Sequence, residues 1–438
     1  MYEKGFEQMT KPRVVVYRHI MEHASDDTIH GSKSRILEGR TVILGLTGSV
    51  AVMRSLEIAR ELMRHGASVL PVMSRAACEF IGPKLVHWAT GNAPVVELSG
   101  ANEHVALVGN SSSRADLLLI APCTANTIGK IATGIDDTVP TTFATTALGQ
   151  GIPILLAPAM HEPMYHNPAV LRNLEIAREF GIGIIEAPVI EGKAKMADTQ
   201  YVVDACIRGI AGRDSSLAGR SVLITAGRTV EYLDPIRVIT NNSSGKMGVA
   251  LARAAYHAGA DVTLVYAKGT VEPPQGVRVI RVESAEEMME EVLLRTKPDR
   301  NDPDILIAAA AVGDWKARTP ADHKTPTHGA SSLQLDLIPT PKIIDAVRTQ
   351  NTSIKIVAFR AQHRLSRDDL TADARARMLR AGADMIAVND VSIQGAGFET
   401  DTNQMIILLP DNTEIEVPMA SKISVATRII EAAAAHLL

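Results

Sequence analysis

Short, continuous apolar runs separated by amphipathic stretches organise this chain. Runs near 41–46, 68–73, 116–121 and 152–157 read as strands, and stretches such as 50–65 and 168–180 carry apolar residues at helical spacing. A second series follows near 221–225, 261–266, 277–281, 304–309, 354–359, 384–388 and 405–409, closing on a helix from about 419. Because these runs do not alternate apolar with polar positions, they predict parallel strands covered by helices on both faces. In such sheets ligands lie beyond the strand C-terminal ends, so the turns after the runs are where chemistry is expected.

The pattern occurs twice. "LEGRTVILGLTGSV" at 37–50 and "LAGRSVLITAGRTV" at 217–230 share a Leu-x-Gly-Arg-Ser/Thr start, an apolar strand and a Gly/Ser/Thr turn. "ELMRHGASVLPVMS" at 61–74 and "RAAYHAGADVTLVYA" at 253–267 continue the echo as helix end, glycine stop and second strand. Two βαβ openings predict an α/β protein with two doubly wound, Rossmann-like domains. The Gly/Ser-rich "GRDSSLAG" at 212–219 reads as their linker, dividing 37–211 from 220–438, and the polar, aperiodic residues 1–36 read as an N-terminal arm.

At 438 residues the chain is long enough for two full cores. Its 46% hydrophobic and 21% charged residues fit a globular α/β protein, and its formal charge of −4 gives no basic footprint for nucleic acid. No apolar run has membrane-spanning length and no secretory leader pattern opens the chain, so a cytoplasmic location is expected. The three cysteines form no CxxC pair, which argues against a zinc site or a disulfide framework.

Among the turns, "ITNNSSGKMG" at 239–248 invites comparison with a P-loop, but Asn241 stands where the first glycine belongs and Met247 follows Gly245-Lys246 in place of Ser/Thr. It still sets backbone N–H groups, hydroxyls and an ammonium at a helix start, where anions bind. "GLTGSVA" at 45–51 lacks GxGxxG and is weak evidence by itself. "APCTANTIGKIATGIDDTVPTTF" at 121–143 gathers small hydroxyls after a strand, and "LLAPAMHEPMYHNP" at 155–168 follows another.

Taken in order, the three turns of the first half resemble the homo-oligomeric FMN-containing cysteine decarboxylases, over about 40–200. The resemblance implies a flavodoxin-like domain in which Gly48, Ser49, Ser74, Thr124, Ala125, Asn126 and Thr127 hold FMN and His104 is the catalytic base. FMN would oxidise a cysteinyl thiol so that the breaking C–C bond has an electron sink. His161 stands where the family usually has Asn in PAMN, and with Met164 it would meet the substrate. The flap "APVIEGKAKMAD" at 187–198 lacks the cysteine that donates a proton in many members; Lys193, Lys195, Glu191 or water would serve, and the lysine pair is the expectation.

"ITAGRTVEYLDPIRVITNNSSGKMG" at 224–248 is similar to the signature of phosphopantothenate–cysteine ligases, with Arg228 in place of the usual Pro. The similarity continues through "AAAVGDWKARTPADHK", "IPTPKII", "IVAFRAQ" and "MIAVNDVSIQGAGFETDTNQ", covering 217–438. It implies that Ser243, Ser244, Gly245 and Lys246 cradle phosphate and that Asn241 contacts an activated acyl intermediate. Asp314, Pro341, Lys342, Ile343, Ile344 and Phe359 would bind CTP, with Arg377 at one of two late lysine positions. Ala381 stands at the other, where Arg380 would compensate. Lys324 would stabilise charge developing between carboxylate and α-phosphate.

The two halves together resemble the bifunctional decarboxylase–ligases of coenzyme A biosynthesis, in particular the archaeal branch. The implied chemistry activates 4'-phosphopantothenate with CTP and Mg²⁺ as an acyl-cytidylate, joins it to L-cysteine and decarboxylates the product to 4'-phosphopantetheine. A homo-oligomer follows from the resemblance, such as a dodecamer built from trimers and dimers. An active ligase with a merely FMN-binding, regulatory first domain is the alternative, whereas a nicotinamide dehydrogenase is disfavoured by the missing GxGxxG.

Overall fold

The computed structural model describes residues 29–110, 114–186, 189–190, 193–194, 196–298, 303–326 and 332–438. Most of the expected arm, together with Glu191 and Lys195 of the flap, lies outside them. The chain divides between Thr199 and Gln200 into two compact units.

The first unit is built on five parallel strands in the order Ser68–Met73, Thr41–Leu46, Leu117–Cys123, Ile154–Pro158 and Gly183–Ile184. Leu117–Cys123 is central and buried at every position, which explains its unbroken run LLLIAPC. Helices Ala125–Thr133, Val139–Gly149 and Pro168–Glu179 pack around Ile43, Ile120, Phe143, Leu156 and Leu174. Each such side chain contributes roughly 1.5–3 kcal/mol by leaving water. The first strand pairs with the second on one side and the third on the other, so the chain's direction of winding reverses beside Thr41–Leu46. That reversal opens a crevice at the ends of Thr41–Leu46 and Leu117–Cys123.

The second unit carries eight strands in the order Arg278–Arg281, Asp261–Tyr266, Ser221–Ala226, Ile305–Ala308, Lys355–Gln362, Met385–Asp390, Thr402–Leu408 and Glu414–Ser421. The first six are parallel. The last two are joined by antiparallel pairing, Thr402–Leu408 running against Met385–Asp390 and Glu414–Ser421 against Thr402–Leu408, which corrects the expectation of parallel strands throughout. The reason is local: "PDNT" at 410–413 is a tight turn, with Asn412 at φ 71°, and Glu414–Ser421 has only Val417 buried. An exposed edge strand of this kind carries no apolar run, and so its sequence gave no signal.

Alternate residues of the strands face two cores. Val222, Ile224, Ile305 and Ile307 meet helices Lys246–His257 and Lys422–Leu437, whereas Leu223 and Leu306 meet Ala285–Arg295, Ile343–Gln350 and Arg367–Ala381. Helix Thr199–Ala211 also packs in this unit. Buried Asp204 lies 2.8 Å from His257 Nε2 and 3.2 Å from Arg253 Nε, and Arg208 donates to the carbonyl of Tyr256 at 3.2 Å. Among the described residues no helix is long and apolar enough to cross a membrane.

Candidate active sites

The crevice of the first unit is a cavity of about 920 Å³. It is lined by Gly48, Ser49, Ser74 and the run Thr124–Thr127, so the seven residues singled out for flavin come together from three strand ends. Their hydroxyls also start helices: Ser49 accepts from Ala51 N at 3.3 Å, Ser74 from Ala77 N at 3.2 Å and Thr124 from Thr127 N at 3.3 Å. Thr47 Oγ1 ties two of these turns together, donating to Pro122 O at 2.7 Å and accepting from Thr124 N at 3.2 Å. Gly48 is required by close approach, because a Cβ there would stand 2.6 Å from that of Ala76.

His161 and Met164 line the same cavity. Strand Lys193–Ala194 of the flap pairs with Met160–His161, placing Lys193 opposite His161 in register. Arg75 and Glu97, outside every quoted motif, also line it, as do Lys130, Asp137 and Thr138, which the 121–143 stretch contains but to which no role was assigned. Lys130 and Asp137 are paired at 2.7 Å.

His104 lies on the short helix Glu103–Val108 and is not on this cavity's wall. Its Nδ1 is buried without a hydrogen-bond partner. A buried ring nitrogen left unsatisfied is uncommon in a purely structural histidine.

In the second unit the winding reverses beside Ser221–Ala226, and a cavity of about 630 Å³ opens there, between the ends of Ser221–Ala226 and Ile305–Ala308. Asn241, Ser243, Ser244, Gly245, Lys246, Asp314, Pro341, Lys342, Ile343, Ile344, Phe359, Arg377 and Arg380 all line it. Gly245 caps helix Lys246–His257 at φ 78°, and a Cβ there would press on Tyr266 Oη at 2.9 Å. Asn241 Nδ2 donates to the carbonyls of Ala311 (3.2 Å) and Val312 (3.0 Å), which fixes its amide across the cavity mouth. Arg228, the departure from the ligase signature, donates from its guanidinium to Ser243 O and so braces the 239–248 loop.

Lys324 is exposed and stands apart from this wall. Its segment is anchored instead at Asp234, which accepts from Thr325 N at 3.2 Å, while Arg237 donates to Thr325 O at 2.9 Å. Burial opposes ionisation of Asp234. The N–H groups of Ile236, Arg237 and Thr325 and the Arg237 guanidinium outweigh it and hold the carboxyl well below the usual range. Lys422 lines the cavity from the last helix and lies outside every quoted motif, whereas Asn389 and Asn403 line it from inside "MIAVNDVSIQGAGFETDTNQ", where no role was assigned to them.

Residues 30–211 match the family described as Flavoprotein, and residues 217–437 that described as DNA/pantothenate metabolism flavoprotein C-terminal domain. The chain is 42% identical over 401 residues to the coenzyme A biosynthesis bifunctional protein CoaBC of Thermococcus kodakarensis, covering 92% of this chain and 96% of that protein. It belongs to the CoaBC family. A second CoaBC, from Methanocaldococcus jannaschii, is 34% identical over 92% of this chain and 95% of its own length. The crystal structure of a CoaBC C-terminal domain matches 51% of this chain and 98% of that domain at 29% identity and a TM-score of 0.42. As a CoaBC-family enzyme of coenzyme A biosynthesis the chain carries two activities, phosphopantothenoylcysteine decarboxylase and phosphopantothenate–cysteine ligase.

Gly48→Ala is expected to cost about 1–3 kcal/mol through the contact with Ala76 and to release the flavin. Thermal melts with flavin absorbance check both effects; a variant that stays yellow and equally stable would overturn the assignment of this turn.

Proposed function

We propose that the second unit activates 4'-phosphopantothenate with CTP and joins it to L-cysteine, and that the first then decarboxylates the product with FMN. The observation that carries the ligase reading is the cavity at the strand ends. It collects the phosphate loop, Asn241, Asp314, the Pro341–Ile344 turn, Phe359 and Arg377 from separate segments of the chain. Lys342, Arg377 and Arg380 would neutralise the triphosphate, the last standing one position from Ala381. Mg²⁺ would arrive with the nucleotide, which needs few protein ligands. Among the described residues no group of three or more His, Cys, Asp or Glu is arranged for a metal.

The first cavity fits FMN: its volume, the close backbone approach at Gly48 and the helix-starting hydroxyls suit a flat ring system with a phosphate. Bound there, FMN supplies the two-electron oxidation of the cysteinyl thiol and the return of hydride. His104 would move the proton, and His161 and Met164 would orient the substrate. The flap lysines Lys193 and Lys195 would protonate the decarboxylated carbon. His104 and Lys324 both stand off the cavities of their own units, which supports a homo-oligomer such as a dodecamer in which a second copy completes each site. Exposed Val50 and Met53, at 72% each, offer apolar surface for such contacts. The small-molecule chemistry and the absence of a basic footprint favour a cytoplasmic enzyme without nucleic-acid partners.

The test is mass spectrometry of products after incubation with 4'-phosphopantothenate, L-cysteine, Mg²⁺ and either CTP or ATP. The expected product is 4'-phosphopantetheine, formed faster with CTP. Accumulation of 4'-phosphopantothenoylcysteine alone would leave the first unit a flavin-binding module, and equal rates with ATP would remove the nucleotide assignment.

A further inference from the structure

Two cationic groups face the ligase cavity from opposite sides of the sheet. Lys342, Arg377 and Arg380 belong to helices Ile343–Gln350 and Arg367–Ala381 or their caps, on the side of the core around Leu223 and Leu306. Lys342 and Arg377 already have carboxylate partners there, Asp314 at 2.5 Å and Asp345 at 3.5 Å. Lys246 and Lys422 are the first residues of helices Lys246–His257 and Lys422–Leu437, which pack on each other on the other side.

Lys422 is the unusual member. Only 6% of it is exposed, yet it lines the cavity. Its ammonium donates to two neutral carbonyls, Gly397 O at 3.2 Å and Phe398 O at 3.1 Å. The nearby carboxylate of Asp401 is taken by Lys246 at 2.6 Å. A buried ammonium without a paired carboxylate is costly, and an anion entering the cavity would offset that cost. Burial and the neighbouring Lys246 push it down to about 8, with Asp401 pulling the other way. Phe398 O also accepts from Ser244 Oγ at 2.6 Å, so Lys422, the 396–401 loop and the phosphate loop form one connected wall.

We propose that Lys422, with Lys246, forms the subsite for the phosphate monoester of the acid substrate. The phosphorylated acid then enters from the side of Lys246–His257 and Lys422–Leu437. The nucleotide triphosphate enters from the side of Arg367–Ala381, and the reacting carboxylate and α-phosphate meet over the strand ends. This rests on the ligase reading and adds a residue that no sequence motif marked. It also explains how one small cavity keeps two highly charged ligands apart.

The test uses full-length protein and compares KM for 4'-phosphopantothenate, KM for CTP and the inhibition constant of unphosphorylated pantothenate in the wild type, Lys422→Gln and Lys422→Arg. Loss of one charge-assisted phosphate contact is expected to raise KM for 4'-phosphopantothenate about 10- to 100-fold in Lys422→Gln. KM for CTP and the pantothenate constant should stay within about twofold, and Lys422→Arg should recover most of the loss. A rise confined to CTP, an equal loss for both acids, or no change would each overturn the subsite.

The wild type gives an independent readout even if Lys422→Gln does not fold. The ammonium is charged below about 8 and neutral above it. KM for 4'-phosphopantothenate should therefore climb as pH passes that value, while the pantothenate constant stays level. A ratio of the two that is flat across this range overturns the proposal. A wild type that forms no amide product at all removes the ligase reading and the subsite with it, whereas normal ligation indifferent to Lys422 removes only the subsite.

Discussion

His104→Asn abolishes carbon dioxide release from 4'-phosphopantothenoylcysteine, by about 10²–10⁴-fold, the range lost with a positioned proton-transfer group. The flavin is expected to stay, because the seven residues proposed to hold it come from the turns after Thr41–Leu46, Ser68–Met73 and Leu117–Cys123 and none from helix Glu103–Val108. Ligation is also untouched, since its cavity lies in the other compact unit. The assay is CO₂ release with flavin absorbance and ligase rate measured on the same preparation. Unchanged release would remove His104 from the chemistry and leave its unpartnered Nδ1 unexplained. Loss of colour together with activity would instead make it a packing residue.

The second large effect belongs to Asn241. Its amide donates to the carbonyls of Ala311 and Val312, holding the strand-end turn of 309–312 against the 239–248 loop. Asn241→Ala should lower the rate of amide formation about 10²–10³-fold, the range lost with a preorganised hydrogen-bonding group. Decarboxylation of supplied 4'-phosphopantothenoylcysteine should continue at the wild-type rate. A raised KM with unchanged kcat would mean that Asn241 contacts the substrate equally in ground and transition states. That outcome would end its assignment to the activated intermediate.

Much of the candidate chemistry was legible in the sequence because it sits in contiguous turns. "GLTGSVA", "CTANT" and "NNSSGKM" each follow an apolar strand, and both the strand and its turn can be read locally. Lys422 was not legible for the opposite reason. In sequence it is one lysine after an edge strand, and lone lysines are usually solvated. It acquires meaning only when Lys422–Leu437 packs on Lys246–His257 and buries its ammonium beside the phosphate loop. Glu414–Ser421 escaped because its residues are mostly exposed, so the apolar signal that marks a central strand is missing. Arg228 looked like a minor departure until its guanidinium was found on Ser243 O.

The sequence by itself determined the α/β class, the two-fold repetition of the winding and the turns that line the two cavities. Those features depend on local apolar periodicity and on residues adjacent in the chain. Tertiary structure decided which lone charges are buried, which strands reverse at the sheet edge and which catalytic candidates stand off the cavity walls. Burial and long-range pairing arise from contacts between segments far apart in sequence, such as Lys422 with Phe398 and Ser244 with Phe398. No local pattern records them.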